Sequence, residues 1–274
     1  MNDVLFASLI IGGAGIILGI ILAVFSKLMA VEVDEKEEKI RAMLPSTNCG
    51  ACGYTGCDGY AQALANGKEK NITLCKPGGQ NTSDQISSFL GIKADKMIKT
   101  TAVVICQGNS QRTQKRADYR GIESCQMARL VDGGDNQCGY GCLGYGDCVS
   151  VCKYDAIHII NGVAFVDQTK CTSCMACIQT CPQHIIELMP IEKSYSIVFC
   201  KNEDRGPIAN KVCEVSCIAC SRCVKACPEN CISIENNRAV IDYEKCTNCG
   251  ACQQVCPHQC ILSLYPADEL MSKV

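Results

Sequence analysis

The sequence predicts an α+β chain with one N-terminal transmembrane helix, one small cysteine-rich domain and two tandem cysteine-rich modules. Three observations predict this organisation. The chain begins with a long uncharged run, its 26 cysteines fall into short and regularly spaced groups, and its second half repeats itself at a shift of 75 residues. Cysteine is nearly a tenth of the 274 residues, with no Trp and five Phe, so we expect a core built around inorganic clusters.

Composition and length limit the classes of protein. The net charge is −2 and no basic patch with interleaved aromatic residues occurs, which excludes a nucleic-acid-binding protein. Small domains that fold around a metal can be far shorter than average, so several are expected. The expected parts are an anchor over 1–27, a single-cluster domain over 28–99, a connector over 100–134 and the two modules over 135–194 and 195–274.

The N-terminal run from Val4 to Ser26 carries no charge. As a helix it would reach roughly 34 Å at about 1.5 Å per residue, enough to span a bilayer core. A signal peptide is disfavoured, because Asp3 stands where a basic segment belongs and the apolar run is too long. Gly15 and Gly19 would let another helix approach closely. The run predicts one transmembrane helix of a protein that works within a membrane complex.

Basic residues flank this run on one side only: none precedes it, whereas Lys27, Lys36, Lys39 and Arg41 follow it. The positive-inside rule therefore predicts a single-pass protein of the cell membrane with its cysteine-rich part on the cytoplasmic side. Thiolate clusters also need a reducing compartment, and the cytoplasm is one, so this requirement agrees with the predicted orientation. The mixed charges of 32–41 predict a solvated helical linker.

The first cysteine group has the spacing C-x2-C-x4-C-x17-C. Four cysteines with one remote member match the ligand number of one [4Fe-4S] cluster, and structural zinc is the alternative. Glycines beside them let backbone N–H groups approach cluster sulfurs. Helices are predicted over 58–66 and 83–99 and a strand over 100–105. The predicted ligands are Cys49, Cys52, Cys57 and Cys75.

The last module carries the pattern C-x2-C-x2-C-x3-C-P twice, which is the two-cluster bacterial ferredoxin spacing. In that pattern the fourth cysteine of each run binds the other cluster. Zinc sites use cysteine pairs and disulfide frameworks suit small secreted chains, so both are disfavoured. We expect one [4Fe-4S] cluster on Cys217, Cys220, Cys223 and Cys256 and its neighbour on Cys246, Cys249, Cys252 and Cys227.

The preceding module matches the last one at the 75-residue shift without a gap, so the unit is duplicated. Even the spacers 162–167 and 237–242 repeat, and each predicts a short hairpin. The first copy has Tyr145 where the second has Cys220, so its run lacks one cysteine. Cys138 is the expected substitute ligand. The alternative is a [3Fe-4S] cluster bound by three thiolates. The predicted sets are Cys138, Cys142, Cys148 and Cys181, and Cys171, Cys174, Cys177 and Cys152.

Twenty cysteines are thereby assigned to about five [4Fe-4S] clusters, and six are left over. Cys231 and Cys260 occupy the places of Ala156 and Ile185 in the first copy, which predicts buried apolar roles. The others could be inert, redox-active or ligands of an additional cluster; they are Cys106, Cys125, Cys200 and Cys213. No catalytic residue and no NAD or flavin site is predicted, so the chain should carry single electrons.

The uncharged N-terminal run, the group from Asn48 to Cys57, the remote Cys75-Lys-Pro-Gly-Gly and the ferredoxin modules together resemble the RnfB family over nearly the whole chain. The two modules resemble its long clostridial form. The resemblance implies electron transfer from reduced ferredoxin into the Rnf complex, where ferredoxin oxidation and NAD+ reduction are coupled to Na+ or H+ translocation. It also implies soluble ferredoxin and the subunits RnfA, RnfC, RnfD, RnfE and RnfG as partners.

Two other functions remain open from the sequence. A membrane-bound polyferredoxin could feed another reductase or a regulator-reducing system, and would carry the same clusters. A zinc-stabilised interaction protein would carry none, and would lack the broad visible absorption of iron–sulfur thiolates. Proteins that co-purify with the chain would separate the first of these from a component of the Rnf complex.

Overall fold

The computed structural model describes residues 2–28, 34–192 and 194–264; the side chains of 2–11, 27 and 28 lie outside the description. The chain begins with α1 (Asn2–Leu28). Within the described part, no helix combines the length and the apolar character needed to cross a membrane. The predicted span Val4–Ser26 falls partly on residues whose side chains are outside the description, and it is not confirmed.

The small domain consists of α2 (Glu35–Met43), α3 (Cys57–Ala65) and α4 (Gly79–Leu90). Its core includes Ile40 and Ile86, both fully buried. The prediction of a solvated linker over 32–41 is therefore wrong in part: residues 35–41 are helical, as predicted, but the apolar side chain of Ile40 packs into this core.

The predicted helix over 58–66 is confirmed to within one residue, whereas the one over 83–99 is too long. The helix α4 ends at Leu90 and is capped by Gly91, which has φ 70° and donates its N–H to the carbonyl of Ser87 over 2.8 Å. This left-handed C-terminal cap favours glycine and turns the chain away from the helix axis.

The first module contains two antiparallel strand pairs, and the predicted strand is confirmed. The hairpin predicted over 162–167 is longer than expected: it runs from 157 to 166, and the predicted residues supply only its second strand. One pair joins the first strand to the last across the module, and the other is a hairpin around Asn161 and Gly162. Residues 100–104 of the predicted connector thus belong to this module's sheet. In chain order the elements are β1 (Thr100–Val104), α5 (Cys125–Leu130), α6 (Asp147–Ser150), β2 (Ile157–Ile160), β3 (Val163–Val166), α7 (Ala176–Thr180) and β4 (Ile186–Pro190).

The second module repeats this arrangement, with one pair between its first and last strands and one hairpin from 232 to 241, of which the residues predicted over 237–242 supply only the second strand. In the part of the chain that the structure describes, each of the four sheets has only two strands, and buried cysteines supply much of the cores between them. In chain order the elements are β5 (Tyr195–Val198), α8 (Gly206–Val212), α9 (Arg222–Ala226), β6 (Ile232–Glu235), β7 (Arg238–Ile241), α10 (Ala251–Gln254) and β8 (Ile261–Leu264).

The two modules are joined by an apolar cluster that both contribute to. Val103, Ile105 and Met189 come from the first module, and Tyr195 and Ile197 come from the second. All five are at least nine-tenths buried. The modules therefore pack through their β1–β4 and β5–β8 sheets, and the residues that follow β1 and β5 lie at the joint.

Candidate metal centres

The small domain brings its four predicted cysteines together, and we call Cys49, Cys52, Cys57 and Cys75 set 1. Burial, with the neighbouring thiols of the other three, raises the pKa of Cys75 to about 11. The side chain of Asn48 accepts a hydrogen bond from the N–H of Cys57 over 2.9 Å and fixes the start of α3. Thiols held so close ionise readily only beside a cation, which is what bound iron provides.

The first module brings a second predicted group to one cavity of about 320 Å³. Backbone N–H groups point at two of its sulfurs: Ala102 lies 3.4 Å from Sγ of Cys171, and Ala156 lies 3.4 Å from Sγ of Cys152. Such bonds stabilise bound thiolates and tune the potential of a cluster. We call Cys152, Cys171, Cys174 and Cys177 set 2.

Set 2 adjoins set 1. Burial, followed by a smaller effect of the neighbouring Cys49 thiol, raises the pKa of Cys174. The hydroxyl of Tyr154 lies 3.4 Å from that of Thr47, and the ammonium of Lys153 donates to the carbonyl of Thr47 over 3.3 Å. These contacts hold the small domain against the first module where the two sets meet.

The other cavity of the first module, of about 370 Å³, is lined by Cys125 in place of the predicted Cys138. The carboxylate of Asp147 explains this placement. It accepts hydrogen bonds from the hydroxyl of Ser124 (2.9 Å) and from the N–H of Cys125 (3.0 Å), and so docks the start of α5 at the cavity. We call Cys125, Cys142, Cys148 and Cys181 set 3.

The second module brings together the two groups predicted from its spacing. One lines a cavity of about 340 Å³, where the N–H of Ala239 lies 3.3 Å from Sγ of Cys217. In the other, burial and the nearby Cys246 and Cys249 thiols raise the pKa of Cys252. We call Cys217, Cys220, Cys223 and Cys256 set 4, and Cys227, Cys246, Cys249 and Cys252 set 5.

Cys231 and Cys260 are buried, as predicted, but they also touch predicted ligands. Sγ of Cys231 lies 3.4 Å from that of Cys227, and Sγ of Cys260 lies 3.5 Å from that of Cys256. Hydrogen bonding from Cys260 lowers the pKa of Cys256 to about 5 and that of Cys217 to about 6. Sequence reasoning missed these contacts, because a cysteine among apolar residues has no distinguishing spacing.

Cys138 lines a further cavity, between the two modules. The same cavity is lined by three of the four cysteines whose role the sequence left undecided. The signal that could have grouped them is the apolar strand ending in cysteine, Val-Val-Ile-Cys106 in one module and Ile-Val-Phe-Cys200 in the other. We call Cys106, Cys138, Cys200 and Cys213 the joint cysteines.

The donor sets fit iron–sulfur clusters. All 26 cysteines are free thiols, and soft thiolates are ligands of iron–sulfur clusters, zinc and Cu(I). Across 2–28, 34–192 and 194–264, no three or more His, Cys, Asp or Glu side chains are grouped so as to hold a metal ion. A [4Fe-4S] cluster binds its four thiolates at four separate irons, so its ligands stand around a larger space.

Three families of iron–sulfur domain match the chain. The family described as "Putative Fe-S cluster" matches residues 44–77 and so contains set 1. The "4Fe-4S binding domain" matches residues 164–187, and the "4Fe-4S dicluster domain" matches residues 216–260. The small single-cluster domain and the ferredoxin-type domains predicted from the sequence are therefore present.

Curated relatives cover most of the chain. The B subunit of the Na(+)-translocating ferredoxin:NAD(+) oxidoreductase complex of Acetobacterium woodii is 43% identical over 90% of this chain and 74% of its own length. The B subunit of the proton-translocating ferredoxin:NAD(+) oxidoreductase complex of Clostridium ljungdahlii is 34% identical, over 90% of this chain and 87% of its own. The chain belongs to the RnfB family.

A third relative in the RnfB family is similar over nearly its whole length. The B subunit of the ion-translocating oxidoreductase complex of Methanosarcina acetivorans is 34% identical over 90% of this chain and 93% of its own length. Similarity over 90% of this chain includes both the small domain and the two modules. The family resemblance predicted from the sequence is confirmed.

Proposed function

We propose that this chain is the iron–sulfur electron-transfer subunit of an ion-translocating ferredoxin:NAD+ oxidoreductase complex. It would accept electrons from reduced ferredoxin and pass them into the complex, where NAD+ reduction is coupled to Na+ or H+ translocation. The main support is the succession of thiol sets: set 1 adjoins set 2 at Cys49 and Cys174, and set 2 adjoins set 3 at Cys177 and Cys148. This geometry suits a relay of single electrons.

The chain's own contribution is to bind, position and shield the redox groups. The thiolates of sets 1 to 5 would hold five [4Fe-4S] clusters, with Cys125 replacing Cys138 as the fourth ligand of set 3. Bound clusters supply one-electron couples whose potentials depend on hydrogen bonds, charge and solvent. Buried ligands such as Cys148 and Cys217 keep water away, whereas Cys220 and Cys249 are exposed and would let a redox partner approach sets 4 and 5.

We also propose that the N-terminal segment attaches the chain to the membrane, where the chain assembles with RnfA, RnfC, RnfD, RnfE and RnfG. Large apolar side chains on the described part of α1 are half-exposed or more, among them Ile16, Leu18 and Phe25. Lipid or a partner helix would cover such a surface. Protease added to inside-out vesicles should release the cysteine-rich part, and release from right-side-out vesicles instead would contradict a cytoplasmic location of that part.

The experiment that tests the function is complementation in cells that lack the chain. Membranes from cells carrying the wild-type chain should reduce NAD+ with reduced ferredoxin, and those carrying Cys49→Ala with Cys52→Ala should not, because set 1 is incomplete. The other components of the complex should still be present in both membranes, as immunoblots would show. NAD+ reduction that persists without any copy of the chain would refute the proposal, and would favour a polyferredoxin that serves another reductase.

A further inference from the structure

The joint cysteines lie around a cavity of about 390 Å³ between the modules. Its volume matches the cavities of sets 2, 3 and 4, at about 320, 370 and 340 Å³. Three of the four cysteines, Cys138, Cys200 and Cys213, are less than one-tenth exposed. Four thiols that line one cavity are the same arrangement as in sets 2, 3 and 4.

Two glycines lie close to the sulfurs at this cavity. A Cβ at Gly108 would lie 3.2 Å from Sγ of Cys213 and 3.7 Å from Sγ of Cys106. A Cβ at Gly141 would lie 3.6 Å from the sulfurs of both Cys106 and Cys138. The contact at Gly108 is closer than most Cβ atoms make, so a glycine is favoured there, whereas the contacts at Gly141 are ordinary van der Waals distances.

Polar hydrogens also point at the joint sulfurs. The N–H groups of Gly108 and Cys142 each lie 3.4 Å from Sγ of Cys106, and the N–H of Cys217 lies 3.2 Å from Sγ of Cys200. The side-chain amide of Asn202 lies 3.6 Å from Sγ of Cys138. Inert buried thiols need no such donors, whereas thiolates bound to iron are stabilised by them.

The two modules contribute equivalent pairs. Cys106 follows β1 and Cys200 follows β5, and these strands pair in the same way with the last strand of their own module. Cys138 and Cys213 each lie four residues before the first cysteine of their module's run. One pair alone supplies two thiolates, whereas the two pairs together supply the four that a [4Fe-4S] cluster needs.

We infer that Cys106, Cys138, Cys200 and Cys213 bind a sixth [4Fe-4S] cluster at the joint between the modules. The inference extends the five proposed clusters and rests on the proposed iron–sulfur function. Each thiol would lose its proton on binding iron. Cys142 of set 3 and Cys217 of set 4 donate their N–H groups to this site, so it lies between those two sets. The sixth cluster therefore connects the relay of one module to that of the other.

The test is the iron content of the full-length chain purified without oxygen, with protein measured by amino-acid analysis. The wild type should contain about 24 irons per chain, and Cys106→Ala with Cys200→Ala about 20, because one [4Fe-4S] cluster is lost. The matched control is Val215→Ala, which changes a buried residue lining the same cavity that has no metal-binding atom. It should keep the wild-type iron content.

A second variant tests the site if the double variant fails to fold. Cys138→Ala removes one thiolate and should leave a three-iron cluster, seen by EPR as a new signal in the oxidised protein. About 20 irons in the wild type, or an unchanged count in the double variant, would refute the sixth cluster and leave the proposed function standing. Zinc in place of iron throughout the wild type would refute the proposed function itself.

Discussion

The hydroxyl of Tyr145 donates a hydrogen bond to the buried carboxylate of Asp135 over 2.8 Å. The same carboxylate oxygen accepts a bond from the ammonium of Lys115 over 2.7 Å. Burial alone would raise the pKa of Asp135, but these two bonds outweigh it and hold the pKa below its usual value. These polar contacts fix Tyr145 at the position where the second module has Cys220. The fourth thiol of set 3 is therefore that of Cys125.

The first prediction concerns that replacement thiol. Cys125→Ser should lower the iron content by about one iron where a three-iron cluster remains and by about four where the whole cluster is lost, because a serine oxygen is a poor substitute for a soft thiolate at iron. Adding Tyr145→Cys to this variant restores the regular spacing and should recover the irons. Tyr145→Phe is the matched control: it removes only the hydroxyl and should keep the iron content. Full iron in Cys125→Ser would show that Cys125 is not a ligand.

The second prediction concerns Cys260, whose thiol contacts that of Cys256 in set 4. Hydrogen bonds to Cys217 and Cys256, together with burial, raise its pKa, so it stays a proton donor. One lost hydrogen bond of about 0.5–1.5 kcal/mol corresponds to about 20–60 mV for a one-electron couple. Cys260→Ile should therefore lower the potential of the set 4 cluster by about that amount, measured by redox titration with EPR.

The first module offers the matched control for this substitution. Its equivalent of Cys260 is Ile185, a fully apolar residue beside set 3. Ile185→Cys should raise the potential of the set 3 cluster and leave that of set 4 unchanged. Equal potentials for set 4 in the wild type and in Cys260→Ile would show that this thiol donates no significant hydrogen bond.

The third prediction compares two glycines with similar backbone angles. Gly144 has φ 80° and Gly250 has φ 77°. A Cβ at Gly144 would lie 2.6 Å from the carbonyl oxygen of Gly162, whereas a Cβ at Gly250 would meet no atom within 4 Å. Gly250→Ala should lower the free energy of unfolding by about 1–2 kcal/mol, because alanine disfavours a left-handed backbone. Gly144→Ala should lower it clearly more, because its Cβ would also collide with the carbonyl oxygen of Gly162. Denaturant midpoints followed by visible absorption should rank them in this order; equal midpoints would contradict the close contact.

The fourth prediction concerns iron removal. A two-stranded sheet is at best marginally stable alone, and the modules' sheets all have two strands, with cysteines among their core residues. Chelating the iron should therefore unfold both modules, seen as increased proteolysis between 100 and 264 and a changed far-ultraviolet circular dichroism spectrum. Re-adding iron and sulfide should reverse both changes. An apoprotein as resistant to protease as the iron-loaded chain would show that the modules fold without metal.

Sequence spacing predicted the grouping of those thiols that come from regular runs. Sets 2, 4 and 5 follow from it because three of their four cysteines lie within seven residues of one another. It missed Cys125, because that residue is brought to set 3 through space by the carboxylate of Asp147. The 75-residue shift also aligned Cys125 with Cys200, whereas the strand pairing makes Cys106 the equivalent of Cys200.

The distribution of ligands along the chain has a consequence for biosynthesis. The four thiols of set 1 lie between Cys49 and Cys75, so they are available early while the chain is still being made from its N-terminus. The joint cysteines extend from Cys106 to Cys213, and their cavity forms only when the two modules meet. Iron delivery to the joint would therefore come late in maturation, and a filled joint would mark a chain whose halves have docked correctly.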